Sequence, residues 1–279
     1  MSILSLLQSD EPLTALIAIL YRIPAVLIAL TLHELAHGYV ALKCGDPTAK
    51  MLGRLSFNPI RHLDPIGALF MLLFGFGWAR PVPVNSRNFK NYRRDDLLVS
   101  IAGVVLNFIL FFLTMILMTL LHLLIWKPEL WELGQPLLTH KDFLSFDGFN
   151  FYSVFTGQNL LFIRESGEML SYIPGMFEAY LKTPWLLYVQ RFLMNFAMIN
   201  LGLCIFNLLP IPPLDGYHVM NDIFLRGKLH IPARVMNGIM IALMAVMFFT
   251  DIISKLLGYV IHFVQNGVLN GVLLIFGLG

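Results

Sequence analysis

Apolar residues in this chain gather into long runs and show no helical or strand periodicity. Five runs stand out, at about residues 13–42, 64–79, 97–126, 185–209 and 235–263, followed by an apolar tail at 264–279. A helix needs about 20 residues to cross the hydrocarbon of a bilayer, so every run but the second predicts a membrane-crossing helix, the first continuing over Pro24. The second run has 16 residues, about 24 Å as a helix and short for a crossing, and it holds Gly67, Gly75 and Gly77. No internal repeat or low-complexity tract interrupts the pattern.

The polar stretches between the runs predict orientation. Lys43, Lys50, Arg54 and Arg61 lie before the second run, and Arg80, Arg87, Lys90, Arg93 and Arg94 follow it. The much longer 127–184 stretch holds only Lys127, Lys141, Arg164 and Lys182. By the positive-inside rule the first two loops are cytoplasmic and the long one is outside. With both its flanks on one side, the second run is expected to be re-entrant, its irregular backbone set against protein or a water-filled cavity, a short spanning helix being the other reading.

Composition supports this picture: 57% of the 279 residues are hydrophobic and 13% charged, where soluble domains carry about 25% charged residues. The expected fold is an all-α polytopic membrane protein of about four to six membrane segments, one of them re-entrant. Its expected parts are a first membrane core at 1–126, an extracytoplasmic loop or cap at 127–184, and a second core at 185–279. A net charge of +2 gives no basis for a nucleic-acid partner. Cys44 and Cys204 form no framework. Residues 1–5 lack a basic region, so the first run is expected to stay in the mature protein. Trp78, Trp126, Trp131 and Trp185 fall near run ends, where an interfacial belt would place them.

The candidate chemistry centres on His33-Glu34-Leu35-Ala36-His37. Four residues apart on a helix, both imidazoles share a face, with Glu34 beside them. Two neutral imidazoles and a carboxylate suit one zinc ion with a position left for water, and Glu34 can act as general base. His37 lies six residues before Lys43, about 9 Å along a helix, which sets the motif within the hydrocarbon near the cytoplasmic face, where ionisable side chains point to function. The third ligand is expected from Asp215, in Asn207-Leu208-Leu209-Pro210-Ile211-Pro212-Pro213-Leu214-Asp215-Gly216. There three prolines break the helix and Gly216 permits an unusual turn. Asp251 instead pairs with Lys255, and Glu165 and Glu168 fall on the wrong side. His62, His140, His218 and His230 read as loop residues, His218 also as a neighbour of the ligand set, and His122 and His262 as interfacial.

Together these motifs resemble the site-2 protease family of intramembrane metalloproteases. Gly45-Asp46-Pro47-Thr48-Ala49-Lys50 and Gly77-Trp78-Ala79-Arg80-Pro81-Val82-Pro83-Val84-Asn85 are similar to its compact prokaryotic branch, which lacks PDZ and CBS domains. The resemblance implies zinc on His33, His37 and Asp215, and cleavage of transmembrane substrates in the cytoplasmic membrane. Ala102-Gly103-Val104-Val105-Leu106-Asn107 resembles the family's glycine-proline-x-x-asparagine motif, with Val104 in place of proline. By that likeness Asn107 is a candidate oxyanion or substrate donor, an amide joining two helices being the other reading; Asn207 carries the same two readings. Extended residues 80–90, Val82 and Val84 above all, are expected to pair with an unwound substrate as an added strand. Lipid is the other expected partner. Two alternatives are a zinc transporter, which needs polar residues strung across the bilayer, and an inactive scaffold that binds membrane helices. Phe143, Phe146, Phe149, Phe151, Tyr152 and Phe155 are expected on the membrane surface or in a small cap.

Overall fold

A computed structural model describes residues 12–74, 78–134, 139–145, 161–163, 169–171, 178–229, 231–250 and 252–279. Gly75, Gly77, Phe146, Phe149, Phe151, Tyr152, Phe155, Glu165, Glu168, His230, Asp251 and the amino-terminal residues considered above lie outside the described residues. The chain runs through α1 (Pro12–Cys44), a single-turn α2 (Thr48–Met51), α3 (Pro65–Phe74), α4 (Tyr92–Ile125), α5 (Glu129–Gly134) and α6 (His140–Leu144). A small antiparallel hairpin of β1 (Leu161–Ile163) and β2 (Met169–Ser171) follows, with Phe162 opposite Leu170. The chain ends with α7 (Leu186–Asn207), α8 (Asp215–Phe224), α9 (Ala233–Phe249) and α10 (Ile252–Ile275).

Four of these helices are long and apolar enough to cross a membrane: α1 over Ile19–Cys44, α4, α7 and α10. α1 continues through Pro24, as membrane helices can when freed backbone groups find other partners. The structure corrects the expected run at 235–263 and its tail. The chain turns extended at Thr250, whose Oγ1 donates to the Val246 carbonyl at 2.7 Å. The apolar sequence is thereby divided into α9 and a separate α10 that absorbs most of the tail. In the sequence the break coincides with the polar pair Thr250-Asp251.

The chain forms two compact units, one of Met1–Phe111 and Ile199–Ile261, the other of Phe112–Met198 and His262–Gly279. In the first, the second apolar run makes an excursion that returns to its origin. Asp64 caps α3 by accepting from the amides of Ile66 (3.0 Å) and Gly67 (2.9 Å). α3 has ten residues, about 15 Å of helix. Leu63 then bridges Ala79 antiparallel, and the Arg80 amide donates to the His62 carbonyl at 2.9 Å. The start and the return of this excursion thus lie side by side. A Cβ on Gly67 would sit 2.0 Å from the Trp78 carbonyl oxygen, so only glycine lets the helix meet the returning strand.

Fully buried Asp46 ties the two flanking loops together. It accepts from the Thr48 amide and hydroxyl, from the Asn85 amide at 2.7 Å and from Asn88 Nδ2 at 2.7 Å. His62, expected in a solvated loop, is buried, its Nε2 2.7 Å from the Ser56 carbonyl oxygen. Apolar packing in this unit gathers Phe206, Leu214, Leu243 and Met247, and separately Ala41, Cys44, Phe89 and Val99.

In the second unit Ile125, Trp126, Leu130, Phe143, Leu186 and Leu187 form the core. Trp126 and Phe143 are therefore buried packing residues of this unit. His122 is fully buried, with Nε2 3.1 Å from His140 Nδ1, and the His140 ring lies against Trp131 at 3.9 Å. His122 is therefore not interfacial, and His140 is half-buried against the indole.

Gly67→Ala is expected to destabilise the protein by about 1–3 kcal/mol, the usual cost of overpacking, because the obstacle is backbone. A thermal melt of the purified variant measures it.

Candidate metal centre

His33 and His37 lie one turn apart on α1, their Nε2 atoms 3.0 Å from each other. Asp215 opens α8, and its Oδ2 lies 3.2 Å from His33 Nε2 and 3.4 Å from His37 Nε2. Among the described residues this is the one group of three ligating side chains close enough to share an ion. The carboxylate arrives because α7 stops at Asn207 and the chain turns twice, through Leu209 N–H to Phe206 O and Leu214 N–H to Ile211 O. Gly216 is helical and its φ is ordinary. Its lack of a Cβ matters because such an atom would stand 2.3 Å from the Leu208 carbonyl oxygen, so close approach and not turn geometry requires glycine there.

Protonation follows from the partners. The Val99 carbonyl can only accept, so His37 Nδ1, at 2.7 Å, must carry the hydrogen and the neutral ring presents a lone pair at Nε2. That pair faces His33 Nε2 and Asp215 Oδ2, a buried oxygen with no hydrogen-bond donor. Three electron-pair donors facing one another repel unless a cation lies among them. A tetrahedral zinc ion with bonds of about 2.0–2.1 Å holds its donors about 3.3 Å apart, close to the spacing seen here. The residues fit zinc.

The support around the donors comes from α4 and the returning strand. Gly103 and Asn107, one turn apart on α4, share a face. A Cβ on Gly103 would stand 2.5 Å from His37 Nε2 and 2.6 Å from His33 Cε1, so the imidazole pair fills the space of the missing side chain. Asn107 is fully buried with its amide nitrogen 3.1 Å from His33 Nδ1. With a metal on Nε2, His33 carries its hydrogen on Nδ1, and the amide turned to present Oδ1, now unpartnered, would receive it. Glu34 accepts from the Val82 amide at 2.8 Å through Oε2. The Val82 side chain is buried while Val84 is 37% exposed, and Val84 N–H has no partner among the described residues. Asn207, half-buried at the end of α7, makes no side-chain hydrogen bond among the described residues. The sequence reading missed the roles of Gly103 and of the Val99 carbonyl; the glycine's place one turn before Asn107 was the available signal.

The model of peptidase family M50 matches residues 21–250. The chain belongs to peptidase family M50. It is also similar to a Bacillus subtilis (strain 168) protein named "Putative zinc metalloprotease YwhC", 37% identical over 203 residues that cover 73% of this chain and 68% of that one. No solved structure matches. This M50 member is an integral membrane protein and, at the level of its family, a metalloprotease. The earlier likeness to site-2 proteases holds over most of the chain.

The helix that delivers Asp215 is itself anchored to α4. Arg93 Nε donates to the Asp222 carbonyl at 2.8 Å, and His218 Nδ1 lies 3.8 Å from an Asp96 carboxylate oxygen. His218 thus faces Asp96 and not the ligand set. Burial, with the nearby Asp96 carboxylate, pushes the Asp222 carboxyl up from 3.8 to about 6. Its folded-state pKa is raised, so its contribution to stability is complete below about 3.8 and is lost as pH rises through about 6. Asp222→Asn, which cannot ionise, is expected to gain melting temperature relative to wild type as pH is raised from about 4 to about 7, measured by differential scanning fluorimetry.

Proposed function

We propose that this M50 protein hydrolyses peptide bonds in transmembrane segments of other membrane proteins, near the cytoplasmic face of the cell membrane. The observation that carries the reading is the convergence of His33, His37 and Asp215 at 3.0–3.4 Å with Glu34 next in the chain to His33. His33, His37 and Asp215 hold one zinc ion, which when bound supplies Lewis acidity that makes water nucleophilic near neutral pH. Glu34, fixed by the Val82 amide, is the base that would take a proton from the attacking water and return it to the leaving amine. Asn107 acts behind the metal by orienting His33, while Asn207, with a free amide, remains a candidate contact to substrate. A transporter would need ligating groups strung across the bilayer, whereas the described residues offer one converged set. An inactive scaffold has no use for an intact base and three intact ligands.

A substrate helix hides its amides and must unwind to be cut. Val84, exposed beyond the buried Val82 with its amide free, supplies the edge on which an unwound segment adds as a strand. Val84→Pro removes that donor. It is expected to lower kcat/KM on a membrane peptide about tenfold or more, mainly through KM, with zinc content unchanged.

The deciding comparison is purified wild type against Glu34→Gln and Asp215→Asn, by elemental analysis for zinc and by cleavage of a model transmembrane peptide in proteoliposomes. Glu34→Gln should keep its zinc and lose about 100-fold or more in kcat, the scale of general-base loss. Asp215→Asn should lose both zinc and activity. A wild type that holds no zinc, or cleaves nothing that Glu34→Gln spares, overturns the reading.

A further inference from the structure

Glu34 is held by a single peptide group, and that group is held from its other end. Pro81-Val82-Pro83 contains one backbone N–H, because neither proline has one. Val82 N–H donates to Glu34 Oε2 at 2.8 Å. The carbonyl of that same Pro81–Val82 peptide, and the one before it, are gripped by Arg54: its Nη2 donates to the Pro81 oxygen at 3.1 Å and to the Arg80 oxygen at 2.8 Å. A peptide group is planar, so fixing its oxygen fixes the direction of its N–H. A guanidinium on the oxygen also polarises the group and strengthens the bond its N–H makes to a carboxylate.

Arg54 is itself well placed to hold. Its amide donates to the Ala49 carbonyl at 2.8 Å, tying it to the end of α2, and its Nε is buried with no hydrogen-bond partner. The opposite wall is equally firm. The Val82 side chain is buried where it meets α1, and a Cβ on Gly38 would stand 3.0 Å from Val82 Cγ1 and 2.6 Å from Leu55 Cδ2. The peptide plane is therefore wedged between α1 and the Arg54 loop.

We propose that Arg54 is a positioning residue for Glu34, acting through the Pro81–Val82 peptide plane. Arg54 donates to the Arg80 and Pro81 carbonyls and to none of the three ligands. It sets the direction of the one donor that aims the base, and leaves Glu34 Oε1 for proton transfer. This rests on the hydrolytic reading above.

The test uses full-length protein in proteoliposomes with the same transmembrane peptide, and compares wild type, Arg54→Gln and Arg54→Lys, each also in the Glu34→Gln background. Zinc content and melting temperature are measured alongside. Arg54→Gln is expected to lower kcat about tenfold or more, the scale on which supporting partners of site residues act, with KM and zinc content unchanged. Arg54→Lys, a point charge that cannot fork across two carbonyls, should recover part of that loss. In the Glu34→Gln background the Arg54 substitutions should change residual kcat less than twofold, because the group they act on is gone. An unchanged kcat in Arg54→Gln overturns the proposal. So does a loss confined to KM, which would put Arg54 in service of the substrate strand, or an undiminished effect in the Glu34→Gln background. If Arg54→Gln does not fold, Arg54→Lys and its Glu34→Gln double variant decide by the same criteria. Inactive wild type would instead sink the hydrolytic reading, so the two failures are told apart.

Discussion

Three lone pairs pointed at one spot are the constraint around which the first unit is built. His37 cannot turn its ring, because its Nδ1 hydrogen is committed to the Val99 carbonyl, and the result is an Nε2 that faces His33 and Asp215 across 3.0–3.4 Å. Such an arrangement is unfavourable in a poorly screened interior and becomes favourable with a divalent cation in it. Much of the surrounding sequence answers to this one cost. Gly103 makes room for the rings, Gly216 lets the proline-broken chain fold back on itself and present its carboxylate, and Gly38 admits the strand that holds Glu34.

The three glycines serve space, not backbone freedom, and none has a positive φ. Gly216 faces backbone, whereas Gly38 and Gly103 leave room for neighbouring side chains, Leu55 and Val82 at one and the two imidazoles at the other. The site is accordingly a product of α1, α4, the returning strand and the start of α8 together. Its ligands come from chain positions 33 and 215, and no local stretch could assemble it alone.

How much of this the sequence showed depended on the kind of signal. Crossing helices were legible because hydrophobic length is a strong, additive quantity; three of the four long helices lie where apolar runs do, and the fourth, α10, straddles the fifth run and the tail. That the second run does not form a long helix was legible from its length. The break at Thr250 was not read, although Thr250, Asp251 and Lys255 are polar, because the long apolar flanks outweigh them in an average. His33, His37 and Asp215 were readable because ligand chemistry restricts residue type and helical spacing restricts position. Asn107 was picked out, but its direction was not readable: an amide facing open space and one facing the back of an imidazole have the same sequence. Backbone partners such as the Val99 carbonyl and the Val82 amide leave no trace in residue identity. His122 and His140 read as peripheral because nothing in the sequence says that Trp131 covers them.

The proline-rich stretches beside the ligands show how irregular backbone is managed at this site. Unpaired amides are costly wherever water is scarce, and non-helical chain at membrane depth exposes them. Here most are removed at the source. Residues 210–214 contain three prolines, and their two remaining amides, those of Ile211 and Leu214, donate to Leu209 and Ile211 at 2.8 and 2.9 Å. Residues 81–83 contain two prolines, and their single amide is spent on Glu34. Only beyond this segment, at Val84, does a free donor reappear beside an exposed side chain. Satisfying the backbone at the ligands while leaving it open one residue further on is what separates a surface that holds the chemistry from a surface able to receive another strand.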